Sequence, residues 1–96
     1  MPSEVVWLDQ ARDDVSAILE FIAKDSPKAS LNYIAELEEQ SLQLADFPES
    51  GRRYNDTYRC LVFRNHLIFY RYDQTANRVT IVTVLDGRRD VERLLG

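Results

Sequence analysis

Three apolar runs set close together in the second half of the chain constrain its fold more than any other feature. They are Thr57-Tyr58-Arg59-Cys60-Leu61-Val62-Phe63-Arg64, Leu67-Ile68-Phe69-Tyr70-Arg71-Tyr72-Asp73 and Arg78-Val79-Thr80-Ile81-Val82-Thr83-Val84-Leu85. β-Branched and aromatic residues dominate all three, which marks them as strands. Asn65-His66 separates the first two, the length of a tight hairpin, and Asn tolerates the positive φ that such a turn needs. A polar loop, Gln74-Thr75-Ala76-Asn77, leads to the third run, so an antiparallel meander is expected. Apolar residues occupy both parities: Leu61, Phe63, Leu67 and Phe69 on one phase, Cys60, Val62, Ile68, Tyr70 and Tyr72 on the other. A sheet with one wet face alternates cleanly, so this one is expected to be covered on both sides.

The first half of the chain supplies part of that cover. Glu4-Val5-Val6-Trp7-Leu8 reads as an opening strand, and Asp9 is placed to cap a helix whose apolar stripe is Ala11, Val15, Ile18, Leu19 and Ile22. Asp25-Ser26-Pro27 ends it and starts another, with Ser26 as N-cap and Pro27 as first helical residue. The second helix runs to about Asp46, turning Leu31, Ile34, Leu37, Leu44 and Ala45 inward and Glu36, Glu38, Glu39 and Gln40 outward. A joint this short forces an antiparallel helical hairpin. Phe47-Pro48-Glu49-Ser50-Gly51 turns the chain toward the sheet, and Arg88 to Leu95 forms a short helix at most. The expected class is α+β: an N-terminal strand, a helical hairpin, a three-stranded antiparallel meander and a short C-terminal helix, in one domain over residues 1–96. One helical hairpin covers one face. The second face is expected to be filled by the C-terminal helix and by another polypeptide.

Ninety-six residues suffice for a core without staples. The single cysteine, Cys60, permits no internal disulfide and is expected as a small core residue in a reducing compartment. No apolar run reaches the length of a membrane span and no signal-peptide pattern opens the chain, so a soluble cytoplasmic protein is expected, with no membrane partner. The net charge of −4 conceals two opposed halves: eleven acids against three bases over residues 1–50 (−8), and nine arginines against five acids over residues 51–96 (+4). All bases of the second half are arginine, suited to flat bidentate contacts with carboxylate or phosphate. This favours a directed contact surface on the sheet over a generally basic nucleic-acid binder, and direct nucleic-acid binding is not expected.

Little in the chain suggests chemistry. His66, the only histidine, reads first as a polar turn residue and second as an acid or base. With one histidine and one cysteine, no transition-metal site is expected, and no phosphate loop or nucleophile elbow points to a cofactor or a hydrolase. Tyr54, Tyr58, Tyr70 and Tyr72 are explained as strand residues, with acid–base work as the rival. Gly87-Arg88-Arg89-Asp90 is the most pointed motif: Gly87 lets the chain leave the last strand sharply and two arginines project at the sheet edge, against the plainer reading of a solvated turn.

In order and length the pattern resembles the RelE/ParE superfamily of toxins from type II toxin–antitoxin systems, and its ParE branch in particular. The features that carry the likeness are Pro-x-x-Gly-Arg from Pro48 to Arg52, Tyr58-Arg59 opening a strand, Leu67-Ile68-Phe69-Tyr70-Arg71, and the closing Val84-Leu85-Asp86-Gly87-Arg88-Arg89-Asp90. The resemblance implies a toxin held inactive by a cognate antitoxin whose C-terminal segment wraps it. RelE-like members cleave mRNA at the ribosome through a strand arginine and basic or aromatic groups after the last strand. Here Leu67 takes the strand arginine's position, and Arg88 and Arg89 follow without an aromatic. ParE-like members are regarded as inhibitors of DNA gyrase. The expectation is a non-catalytic gyrase inhibitor without cofactor, touching antitoxin or gyrase through Arg59, Arg71, Arg88 and Arg89, with Leu61, Phe63 and Tyr70 supporting that surface. The alternatives are a ribosome-dependent mRNA endoribonuclease, with Arg89 in a basic catalytic position, and a non-toxic interaction module of the same fold.

Overall fold

The computed structural model describes residues 1–87, and the expected C-terminal helix, with Arg88 and Arg89, lies outside them. The elements run β1 (Glu4–Trp7), α1 (Asp9–Asp25), α2 (Pro27–Asp46), β2 (Arg52–Arg53), β3 (Arg59–Phe63), β4 (His66–Asp73) and β5 (Arg78–Asp86). Strands β3, β4 and β5 form the expected meander. The sheet is larger than the three-stranded one read from the sequence, with order β1-β5-β4-β3-β2. After the helical hairpin crosses the sheet, β1 lies parallel to β5, with Val5 beside Val79 and Trp7 beside Ile81. At the opposite edge the dipeptide β2 pairs antiparallel with β3, a stretch too short to show a pattern of its own.

Ser26 alone joins the helices. Its N–H donates to the Ile22 carbonyl, closing α1, and its hydroxyl accepts from the Ala29 N–H at 3.1 Å, opening α2. Asp9 is not the cap of α1: Leu8 holds that position with no side-chain cap, because its N–H still belongs to the β1–β5 ladder, donating to the Ile81 carbonyl at 3.0 Å. On α2 the inward stripe is Ser30, Tyr33, Leu37 and Leu44, whereas Leu31 is 67% exposed. The correction follows from geometry. At 100° per residue, Leu31 falls roughly 130° from the centre of the stripe made by Ser30, Tyr33, Leu37 and Leu44, on the outer side of the helix.

The β3–β4 turn is Arg64-Asn65 rather than Asn65-His66: Arg64 takes the positive φ, at 56°, and Phe63 pairs with His66, which opens β4. Thr57 and Tyr58 stay outside the strand. Across a two-residue turn, odd residues of β3 share a face with even residues of β4. Arg59, Leu61 and Phe63 therefore face the helices with Ile68, Tyr70 and Tyr72, while Cys60 and Val62 lie on the far face with Leu67, Phe69 and Arg71. A bulge in β5 opposite Phe69/Tyr70 shifts that strand's register, so Val79, Ile81 and Val84 all reach the helix side. Apolar side chains are buried on both faces, with Phe69 at 1% and Leu85 at 8% exposure on the far one. Cys60 is half-buried, not a core residue.

Candidate partner-binding surfaces

Helix α1 sits loosely on the sheet. Of its apolar stripe only Ala11 is buried, while Val15, Ile18, Leu19 and Ile22 remain half-covered. Asp14 fastens one end of it: its carboxylate accepts from the Thr83 hydroxyl and from the Val84 N–H at 3.0 Å, just past the β5 bulge. A groove opens on either side of this helix. The first, about 750 Å³, is floored by Val5, Trp7, Val15, Leu19, Leu37 and Ala45, with Arg12 and Glu38 also in its lining. Leu42, which also lines it, is 69% exposed. The same groove borders β1, the edge strand of the sheet among the described residues. In the β1–β5 ladder the N–H groups of Glu4 and Leu8 point to β5, so those of Val5 and Trp7 point outward.

The second groove, about 620 Å³, lies between α1 and the β3–β4 turn and is lined by Ile18, Phe21, Ile22, Tyr33, Arg64, His66 and Asp86 among others. Here Tyr33, Arg64, His66 and Asp86 come together. The Tyr33 hydroxyl lies 3.2 Å from His66 Nδ1, and the two rings meet edge to face. Burial pushes the Tyr33 hydroxyl up to about 12, against the pull of the Arg64 guanidinium. Burial likewise lowers the His66 pKa, with Asp86 opposing and Arg64 adding to the shift. Arg64 stacks over Tyr33 at 5.4 Å and pairs with Glu36 at 2.8 Å. Tyr33 therefore keeps its proton near neutrality, and His66 is biased toward its neutral form.

The residues singled out from the sequence divide into supports and contacts. Arg59 is a strut: its guanidinium donates to the carbonyls of Glu49 at 3.2 Å and Gly51 at 2.9 Å, and stands 3.7 Å from the Glu49 carboxylate. Tyr70 is fully buried and its hydroxyl accepts from the Gly51 N–H at 2.8 Å. Phe63 is core, edge-on to Tyr33 at 5.0 Å, and Leu61 packs against the same cluster. Arg71 is exposed on the far face. Sequence reasoning left out Arg52, also exposed on that face, because it precedes the recognisable strands and its pairing with β3 shows only in three dimensions.

A family model described as ParE toxin of type II toxin-antitoxin system, parDE, matches residues 5–91. Over 60 residues the chain is 37% identical to Toxin RelE2 of Caulobacter vibrioides, a span that covers 62% of this chain and 68% of that protein. Its fold is similar to that of the chromosomal ParDE system from P. aeruginosa, with a TM-score of 0.72 at 18% identity, over 88% of this chain and 95% of that one. It is also similar to the toxin–antitoxin complex RelBE2 from Mycobacterium tuberculosis (TM-score 0.62, 21% identity, 90% of this chain and 99% of that one). A free E. coli RelE toxin mutant superposes with a TM-score of 0.63 at 12% identity, over 99% of this chain and all of that one (100%). At such identities the structural likeness speaks for the fold alone.

Proposed function

The chain belongs to the ParE toxin family of type II toxin–antitoxin systems, and from that premise we propose that it acts by binding DNA gyrase, without cleaving anything itself, and is neutralised by a cognate antitoxin. The observation that carries the non-catalytic reading is the state of its proton-transfer groups. Tyr70 spends its hydroxyl on a backbone N–H, Tyr33 is pushed up to about 12 by burial, and the His66 pKa is lowered, again by burial. RNA cleavage through a 2′-hydroxyl needs a base, an acid and a cation around one phosphate. Beside Tyr33 and His66 the cation is Arg64, and it is paired with Glu36.

The grooves flanking α1 support the antitoxin half of the reading. An amphipathic segment pairing with the outward backbone groups of Val5 and Trp7 would seat alternate apolar side chains in the groove between α1 and α2. Glu38, which lines that groove, favours a basic residue on the segment beside it. Such cover is what a helix with one buried residue lacks.

The name of the relative Toxin RelE2 favours a second reading, a ribosome-dependent mRNA endonuclease. One pair of assays separates the two. Purified toxin at micromolar concentration is expected to block gyrase supercoiling and to leave mRNA intact in a translation extract; intact supercoiling with cut transcripts reverses the conclusion. Cutting abolished by Arg89→Ala would assign the nuclease.

A further inference from the structure

Resting on the reading that this toxin grips a protein target, we infer that the far face of the sheet makes the target contact, with Arg52 and Arg71 as its charged anchors and an acidic protein surface as what they hold. Residues 51–87 contain six arginines, and four are spent on the chain itself. Arg53 pairs with Asp56, Arg59 with Glu49, Arg64 with Glu36 and Arg78 with Glu4. Arg52 and Arg71 are exposed and have no hydrogen bond or ion pair among the described residues.

The sheet brings these two together. Arg52 pairs across to Cys60, Cys60 to Phe69, and Arg71 stands two residues beyond Phe69 on the same face of β4. Two strand spacings across and two residues along put their Cα atoms about 12 Å apart. The ground between them is uncharged: Cys60, and Phe69 with the Tyr54 ring edge-on at 5.4 Å. The acids of this face have partners of their own: Glu4 pairs with Arg78, and Asp73, two residues beyond Arg71 on β4, accepts from the Ala76 N–H. No carboxylate among the described residues forms an ion pair with either guanidinium group.

Two free arginines about an aromatic centre make the composition of a protein–protein hot spot. Each guanidinium takes a carboxylate in bidentate fashion, while the exposed Tyr54 ring, packed edge-on against the buried Phe69, takes an apolar side chain. A polyanion is the poorer fit. Two phosphate contacts give a salt slope of only about −2, and the chain carries a net −4. The partner surface therefore presents two carboxylates on either side of an apolar projection.

The test is the double variant Arg52→Glu/Arg71→Glu beside Arg52→Lys/Arg71→Lys, with supercoiling inhibition, antitoxin affinity and thermal melting measured on each. The glutamate pair is expected to raise the half-inhibitory concentration at least tenfold, to keep the melting midpoint, and to bind antitoxin within twofold of wild type. The lysine pair, which keeps the charge but not the fork, should fall between. A folded glutamate variant that inhibits as well as wild type overturns the inference and leaves the gyrase reading standing. Wild-type toxin without effect on supercoiling overturns the reading, and the inference with it.

Discussion

At the scale of the residue, the tightest constraint lies at Gly51, where a loop crosses the end of the sheet. A Cβ placed there would lie 2.5 Å from the Tyr70 hydroxyl and 2.7 Å from its ring, and Tyr70 is immobile at 0% exposure. Gly51→Ala is expected to destabilise by about 1–3 kcal/mol through overpacking, read as a lower denaturant midpoint at unchanged slope. Tyr70→Phe keeps the packing and leaves the Gly51 N–H without its acceptor, for a loss of about 1–3 kcal/mol. His66 makes a different kind of claim, because its pKa is lowered on folding by burial, with Asp86 opposing and Arg64 assisting. Above the unfolded value, about 6.5, both states are neutral and the histidine is silent. As pH falls below it the unfolded chain takes up the proton first, so the folded state loses stability until the lowered folded pKa is passed. Thermal midpoints at pH 7.5 and 5.5 should differ more for wild type than for His66→Gln, which can still meet the Tyr33 hydroxyl.

At the scale of the element, α1 and α2 owe their places to different things. Helix α2 buries Tyr33, Leu37 and Leu44, whereas α1 depends on the two hydrogen bonds that Asp14 accepts from β5. Asp14→Ala removes charge-assisted bonds worth about 1.5–3 kcal/mol together with the acceptor of a strand N–H. Hydrogen exchange is expected to speed up in α1 well before α2, and equal protection in both helices would contradict this division. The sequence made the helices, the joint at Ser26 and the meander legible because each is written locally, in period, cap or β-branching. It hid what depends on contact between distant segments. The inward choice of Tyr33 over Leu31 is set by Phe63 and His66 across the sheet, and β1 joins parallel to β5 only once the hairpin has folded. The same reason explains the surface. Arg59 and Arg52 look alike in sequence, yet one is bound to the Glu49–Gly51 turn and the other has no partner among the described residues.

At the scale of the whole molecule, acid and base are sorted onto opposite sides, the helices carrying most of the one and the sheet the other, and the apolar ground beside α1 is left open. A fold of this size has a stability of only about 5–15 kcal/mol, so an unfilled groove against a half-buried helix weighs heavily, and a segment that binds only the folded form raises stability by mass action. The single tryptophan, Trp7, lines that groove and is half-exposed, which makes it a reporter of occupancy. Titrating a peptide from the C-terminal half of the antitoxin should shift Trp7 emission to the blue and raise the melting temperature in step. Leu42→Glu is the matched control. Leu42 is 69% exposed in the free toxin, so the substitution spares the fold, but it sets a carboxylate at an apolar lip beside Glu38. Burying that charge without a partner costs several kcal/mol, enough to weaken the peptide by more than a hundredfold. Unchanged peptide affinity in a normally folded Leu42→Glu protein, or binding that leaves Trp7 emission where it was, would move the antitoxin off this groove and onto another part of the surface.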